Sequence, residues 1–388
     1  MSFRLPTEEN LTIEKLVYGG EGLARLDGKV VLVPFVAPGE QVRAEVERVK
    51  NDLFRGRVID VVSPGSSRVA PGCPYFLRCG GCQFQHLDYK VQVEQKIAAL
   101  REVLRRVGKI DFPGEIDAIT GEPWQYRNRI QLHIERGAVG YFEYSSRRLC
   151  EIESCPVSSP ALNRAIEALN AHRPQLGAYS GGVELFTNET DTQVSVLERA
   201  PRALFSIFES IGTSAPIEYQ GFRVSRNSFF QVNRFLAGGL VECAIAGHAG
   251  ETAVDLYAGV GLFSKALAAR FPRVTAVESG RSAHRDLVHN LGERVASENT
   301  TVEEYLARLE SPPDLILADP PRAGLGKHVV ADLTRIQAPA LAIVSCDPAT
   351  LARDLQGLIA SGYRIEKVTL VDLFPQTFHL ESVVQLRR

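Results

Sequence analysis

Apolar and polar positions change their rhythm along this chain. From residue 9 to 62 they alternate in short runs broken by turn residues, the period of strands buried on one face. "LARLDGKVVLVPFV" carries Asp27-Gly28, the dipeptide of a two-residue hairpin, and "QVRAEVERV" and "FRGRVIDVV" continue the alternation. Five short strands in about fifty residues predict a small barrel of the OB type. "SPGSSRVAPG", 63 to 72, interrupts the pattern as a Pro/Gly/Ser linker.

A helical period follows. Val93, Ile97, Leu100, Leu104 and Val107 share one face of a helix expected over 91–108, and Arg101, Arg105 and Arg106 lie on its outer face. Between 124 and 225 both periods mix. "RNRIQLHIE" and "TQVSVLERA" read as strands, and "SSPALNRAIEALN" as a helix capped by Ser159 with Pro160 behind it. From 251 onward strands and helices alternate: "TAVDLYAG", "RVTAVES", "DLILADPPR", "LAIVSCDP", "YRIEKVTLVDLF" and a closing "SVVQLRR". That alternation predicts an α/β fold with a mostly parallel, Rossmann-like sheet.

At 388 residues the chain exceeds one ordinary core, and the pattern divides it at 1–62, 63–215 and 216–388. The middle part reads as mixed α+β, and the helix over 91–108 is expected to pack on the last domain. Hydrophobic residues make up 45% and charged ones 23%, which excludes extensive disorder. No apolar run approaches the roughly eighteen residues of a membrane helix. The opening "MSFRLPTEENLTIEKL" lacks an apolar signal core, so a soluble cytoplasmic protein with no membrane partner is expected. The net charge of -2 gives no global attraction to nucleic acid, so RNA binding would need local basic patches. "WQYRNRIQLHIERG" offers one such patch in Trp124, Tyr126, Arg127 and Arg129. A half-buried strand is the other reading of the same residues.

The chemistry concentrates in the last domain. "DLYAGVGLFS" places Asp255 at a strand end and Gly259 and Gly261 in the turn after it, where a ligand can approach the backbone. Glu278 ends the next strand, where an acid accepts hydrogen bonds from both hydroxyls of a ribose. Nicotinamide dinucleotide and S-adenosylmethionine both fit those two features. "DPPRAGL" favours the second, because an Asp-Pro-Pro at such a strand end lines a methyl-donor pocket. Arg322 stands where amino-group methylases carry an aromatic, which argues against an exocyclic amine as target.

Cys346 sits where an apolar strand hands over to a helix opened by Asp347 and Pro348, and the helix N-terminus is expected to lower its pKa toward thiolate. C5 of a pyrimidine becomes nucleophilic once a thiolate adds to C6. A general base reaching the opposite face of the ring must then remove the C5 proton. "FPQTFHLES" supplies a candidate in Glu381, at the start of the last strand.

With these residues assembled, the chain resembles the S-adenosylmethionine-dependent RNA uracil-C5 methyltransferases. "NSFFQVN", "DLYAGVG", "DPPRAG", "SCDPATLARD" and "FPQTFHLE" match that family's signatures in order. The resemblance implies a class I methyltransferase domain in which Gln231, Tyr257, Glu278 and Asp319 bind the methyl donor. It makes Cys346 the nucleophile and Glu381 the proton acceptor. It also implies that 1–62 is a TRAM domain, an OB-like RNA-binding barrel, and that 63–215 carries further RNA contacts. Leu262 stands where some relatives carry an Asn near the donor.

Seven cysteines without a secretion signal do not suggest a disulfide framework. In the family's cluster-bearing branch, the spacing of Cys73, Cys79 and Cys82 with a later Cys155-Pro156 implies ligands of a [4Fe–4S] cluster. The ligand count suits zinc as well, and Cys150 is an extra candidate beside Cys155. The layout resembles the bacterial branch acting on 23S rRNA, with transfer RNA as the alternative substrate. A monomer is expected, and the non-catalytic alternative is an iron–sulfur RNA-binding protein that keeps the methylase fold.

Overall fold

A computed structural model describes residues 7–50, 53–177 and 179–388. Residues 1–6, part of the stretch read for a signal core, lie outside the described residues. Among the described residues, no helix is long and apolar enough to cross a membrane. The chain falls into two compact units.

One unit comprises Met1–Glu102, Phe142–Cys150 and Phe374–His379. Its six-stranded sheet carries the expected alternation. Leu11, Ala24, Val31, Val33, Val42, Ala44 and Val46 turn inward to form one apolar core. The strands Glu21–Leu26 and Lys29–Pro34 pair antiparallel around Asp27 and Gly28, both at positive φ, which is the tight hairpin that the dipeptide predicts. The stretch read as a linker is tied down. Glu40, fully buried, accepts the N–H of Ala37 at 2.7 Å and of Gly65 at 3.2 Å, and pairs with the Arg68 guanidinium. A buried carboxylate survives only when its lone pairs are filled in this way.

The helix Tyr89–Arg106 starts two residues earlier than expected and buries Val93, Leu100 and Leu104. Val107 lies beyond its end and is exposed. Gln92 on this helix exchanges hydrogen bonds with Gln376, and Lys96 donates to the Phe374 carbonyl at 2.9 Å, so the helix grips the 374–379 loop.

The other unit comprises Val103–Tyr141, Glu151–Leu373 and Leu380–Arg388. Its eight-stranded sheet runs Ala296–Glu298, Arg273–Val277, Thr252–Leu256, Leu315–Ala318, Ala340–Ser345, Glu381–Arg387, Arg364–Val371 and Ile116–Ile119 in spatial order. The pairs are parallel except around Glu381–Arg387, which runs antiparallel to both neighbours. Its central strands are buried throughout, as expected for a sheet covered on both faces. Ile116–Ile119, a strand the sequence pattern does not reveal, completes the edge. A second, antiparallel sheet centres on Arg129–Glu135, flanked by Ala138–Phe142 and Ser180–Thr187. Beside it the helix Pro160–Ala171 begins as predicted, with the Ser159 hydroxyl accepting from the Leu162 N–H.

Candidate active site

The rim of the eight-stranded sheet gathers the chemistry. Parallel register brings the ends of Thr252–Leu256, Arg273–Val277, Leu315–Ala318 and Ala340–Ser345 to one side, and the antiparallel closing strand begins there. Ser345 pairs with Ser382. The ladder ends at that pair, and Cys346 and Glu381 are the next residues along the two chains, near enough for the Glu381 charge to act on the thiol.

The donor side of the rim is built by a strained turn. Tyr257 takes φ of 64°, a left-handed conformation uncommon for a bulky residue. Gly259 and Gly261 follow at 58° and 96°, and a Cβ on Gly259 would meet only open space. The backbone is therefore open to a ligand at that point. Glu278 is fixed just beyond the next strand, with its carboxylate accepting the N–H of Gly259 at 2.9 Å and that of Gly280.

Under this turn lies Asp255, fully buried. One of its oxygens takes the Ser264 hydroxyl, while the other is buried with no hydrogen-bond partner. An unsatisfied buried carboxylate oxygen is costly, and a ligand donor group would relieve it. Burial is the main cause that pushes Asp255 up to about 7, and the charge of Glu278 adds to it. Asp319 is also pushed up to about 7, by burial first and by Asp255 second. Gln231 donates to Asp319 at 3.4 Å. An orphaned acceptor, an open backbone turn and a ribose-height carboxylate together fit an adenosyl-sulfonium amino acid such as S-adenosylmethionine.

Cys346 follows its strand directly, and Asp347 caps the helix Pro348–Ala360 by accepting the N–H groups of Ala349 and Thr350. The local structure is as the sequence predicts. The electrostatics are not. Burial, with the charge of Glu381 next in size, pushes the Cys346 thiol up to about 11, against the opposing charge of Arg322. The expectation that the helix N-terminus lowers this thiol toward thiolate is therefore corrected: burial and two nearby carboxylates outweigh it. Glu381, almost fully buried, is itself raised well above the ordinary carboxylate range by burial and by Asp319. Arg322, read from sequence only as the absence of an aromatic, is the cation of this cluster. Its position after a strand parallel to Ala340–Ser345 is the signal that points to it.

Two further expectations fare differently. Tyr126 is fully buried, and Arg129 is spent inside the protein. The Arg129 guanidinium stacks 4.4 Å from the Phe186 ring centroid and donates to the Ser228 carbonyl and to Glu184. These two residues of "WQYRNRIQLHIERG" are core, not RNA surface. The expected cysteine site is not shown either. Among the described residues, no three His, Cys, Asp or Glu side chains are grouped to hold a metal ion. The Cys79 thiol instead meets that of Cys150. Cys155 is held in the turn before the helix Pro160–Ala171, where Asn163 bonds both its N–H and its carbonyl. Cys73 and Cys82 are partly exposed. A [4Fe–4S] cluster on Cys73, Cys79, Cys82 and Cys155 is not shown, and no chemistry is routed through one.

Residues 309–388 match the family model described as tRNA (Uracil-5-)-methyltransferase, and residues 7–59 match the TRAM domain. The chain is 33% identical to the 23S rRNA (uracil(1939)-C(5))-methyltransferase RlmD of Chromohalobacter salexigens, over 98% of this chain and 90% of that protein. It is 31% identical to an uncharacterized RNA methyltransferase of Aquifex aeolicus, over 97% of each. Among solved structures, the Pyrococcus abyssi tRNA (uracil-54, C5)-methyltransferase in complex with S-adenosyl-L-homocysteine is similar, with a TM-score of 0.76 and 26% identity over 97% of this chain and 99% of that one. With a TRAM domain at one end and the uracil-C5 methyltransferase signature at the other, the chain belongs to the S-adenosylmethionine-dependent RNA uracil-C5 methyltransferases.

Proposed function

We propose that this enzyme methylates C5 of a uridine in 23S rRNA, with Cys346 as nucleophile and Glu381 as proton acceptor. The observation that carries the reading is that Cys346 and Glu381 adjoin the Ser345–Ser382 pair, with the charges of Glu381 and Asp319 acting on the thiol. S-adenosylmethionine, when bound, supplies an electrophilic methyl group on sulfur. Gln231, Tyr257, Glu278 and Asp319 are the residues proposed to hold it, with Glu278 at the ribose.

The Cys346 sulfur bonds C6 of the uracil, and the C5–C6 π electrons move toward the C4 carbonyl. C5 then takes the methyl. Glu381 accepts the C5 proton, the C5–C6 double bond re-forms, and the sulfur leaves C6. The thiol passes its proton to solvent water before the S–C6 bond forms, and the charge of Arg322 favours that loss. Burial raises Glu381 above the ordinary carboxylate range, so its ionised form is a stronger base than a solvated carboxylate.

Similarity to the 23S rRNA enzymes supports ribosomal RNA as substrate, and the TRAM domain over 7–59 supports binding of RNA away from the target base. The similarity to the Pyrococcus abyssi enzyme favours a second reading, a uridine of transfer RNA. Nucleoside analysis of both RNAs from cells lacking the protein separates the two. Loss of 5-methyluridine from 23S rRNA alone is the expected result, and loss from transfer RNA alone overturns the ribosomal assignment.

A further inference from the structure

With Tyr126 and Arg129 in the core, the RNA beside the target uridine needs another surface. One segment is built for the purpose. Ser225 and Ser228 are tied to Asp286, the Ser228 carbonyl takes Arg129, and Phe230 is buried. Asn128 holds the Gln231 carbonyl, and Asn233 reaches the Leu373 carbonyl. Phe229, within this pinned run, leaves 57% of its surface exposed. This pinned, exposed aromatic is two residues from Gln231, which bonds Asp319.

Three residues before it, exposed Arg226 lines a groove of about 540 Å³ together with Arg199, Arg202 and the exposed ring of Phe205. Among the described residues, none of these three guanidinium groups pairs with a carboxylate. Glu198 and Glu209 line the same groove, and Glu198 is already engaged by the Gly182 N–H. From Arg226 to Gln231 the chain spans at most about 18 Å. Unpaired arginines alternating with exposed aromatic rings are the pattern that tracks a single strand, the cations on phosphates and the rings under bases.

We propose that single-stranded RNA flanking the target uridine runs over Phe229 into this groove, with bases stacked on Phe229 and Phe205 and phosphates held by Arg199, Arg202 and Arg226. The proposal rests on the reading that RNA is the substrate, and its test is a binding measurement that does not depend on methylation. Affinity for oligouridine is measured against salt concentration for the intact protein and its variants, with binding of S-adenosylmethionine as the control for a folded site.

Phe229→Ala is expected to weaken binding roughly 5- to 100-fold, and Phe229→Trp to restore it. Replacing Arg199, Arg202 and Arg226 together by Ala is expected to flatten the slope of log affinity on log salt by about 2, since each single-strand phosphate contact contributes about 0.7. The same three positions changed to Lys keep the slope. Unchanged affinity and slope in Ala variants that still bind the methyl donor overturn the proposal. Failure of the methylation reading would show elsewhere, in the nucleoside analysis.

Discussion

Cys346 and Glu381 each adjoin the Ser345–Ser382 pair that ends an antiparallel ladder, and the charge of Glu381 acts on the Cys346 thiol. The two residues come from strands separated by a helix and a further strand, yet register alone sets them together. Removing the sulfur by Cys346→Ala is expected to abolish turnover while leaving donor binding and the melting temperature close to those of the parent. Retained methylation would refute its role as nucleophile.

Glu381→Gln separates bond making from bond breaking. The amide cannot take the C5 proton, so the variant is expected to add to the ring, transfer the methyl and stall. Denaturing gels of enzyme with RNA and donor should show a covalent species that accumulates in Glu381→Gln and turns over in the parent. If no species accumulates and the rate is unchanged, the base is another residue.

The raised thiol has a direct consequence for pH. A pKa of about 11 in place of an ordinary 9 leaves about a hundredfold less thiolate at pH 8. Alkylation of Cys346 in the free enzyme, followed by peptide mass spectrometry, is expected to be slow at pH 8 and to accelerate as pH rises toward 11. Arg322→Ala removes the opposing positive charge and should slow alkylation further, whereas Glu381→Gln removes a negative charge and should speed it. Equal rates in all three proteins would contradict the electrostatic account of the site.

Gly261 tests the donor turn. Its φ of 96° disfavours any side chain, and a Cβ there would lie 2.7 Å from the Leu291 Cδ1 atom. Gly261→Ala is expected to destabilise the protein by about 1–3 kcal/mol and to weaken binding of the methyl donor. A melting curve and a donor titration identical to those of the parent would show that the turn does not need glycine.

In the TRAM-matching unit, Glu40 binds two backbone N–H groups and Arg68 where no water reaches it. Although burial opposes ionisation, Arg68 and these N–H groups hold its pKa below the usual value. The stabilisation is therefore present at neutral pH and lost as pH falls through the folded-state pKa, below about 4.5. Glu40→Gln is expected to cost about 3 kcal/mol in stability at pH 7 and much less in strong acid. Equal losses at both pH values would mean that the carboxylate's charge is not what matters.

Local signals in this sequence were legible because their causes are local. Asp27-Gly28 needs positive φ, Ser159 and Asp347 cap the helices behind them, and the strand-end acids fall on one rim because parallel register leaves no alternative. Quantities set by distant packing were not legible. Alternation along 124–135 shows that Arg127 and Arg129 share a face but not that Arg129 points into the protein, against Phe186. A helix N-terminus beside Cys346 can be read from Asp347 and Pro348, but the burial and the charges of Glu381 and Asp319 that outweigh it cannot. Cysteine spacing likewise says nothing of Cys150 meeting Cys79 or of Asn163 holding Cys155.

The most direct test replaces the target uridine by 5-fluorouridine in a substrate RNA and adds enzyme and S-adenosylmethionine. Fluorine blocks removal of the C5 substituent, so the sulfur cannot leave. The account predicts a denaturation-stable protein–RNA adduct, mapped by mass spectrometry to Cys346 and carrying the transferred methyl on C5. RNA bound and methylated with no such adduct, or an adduct on any other residue, would contradict it.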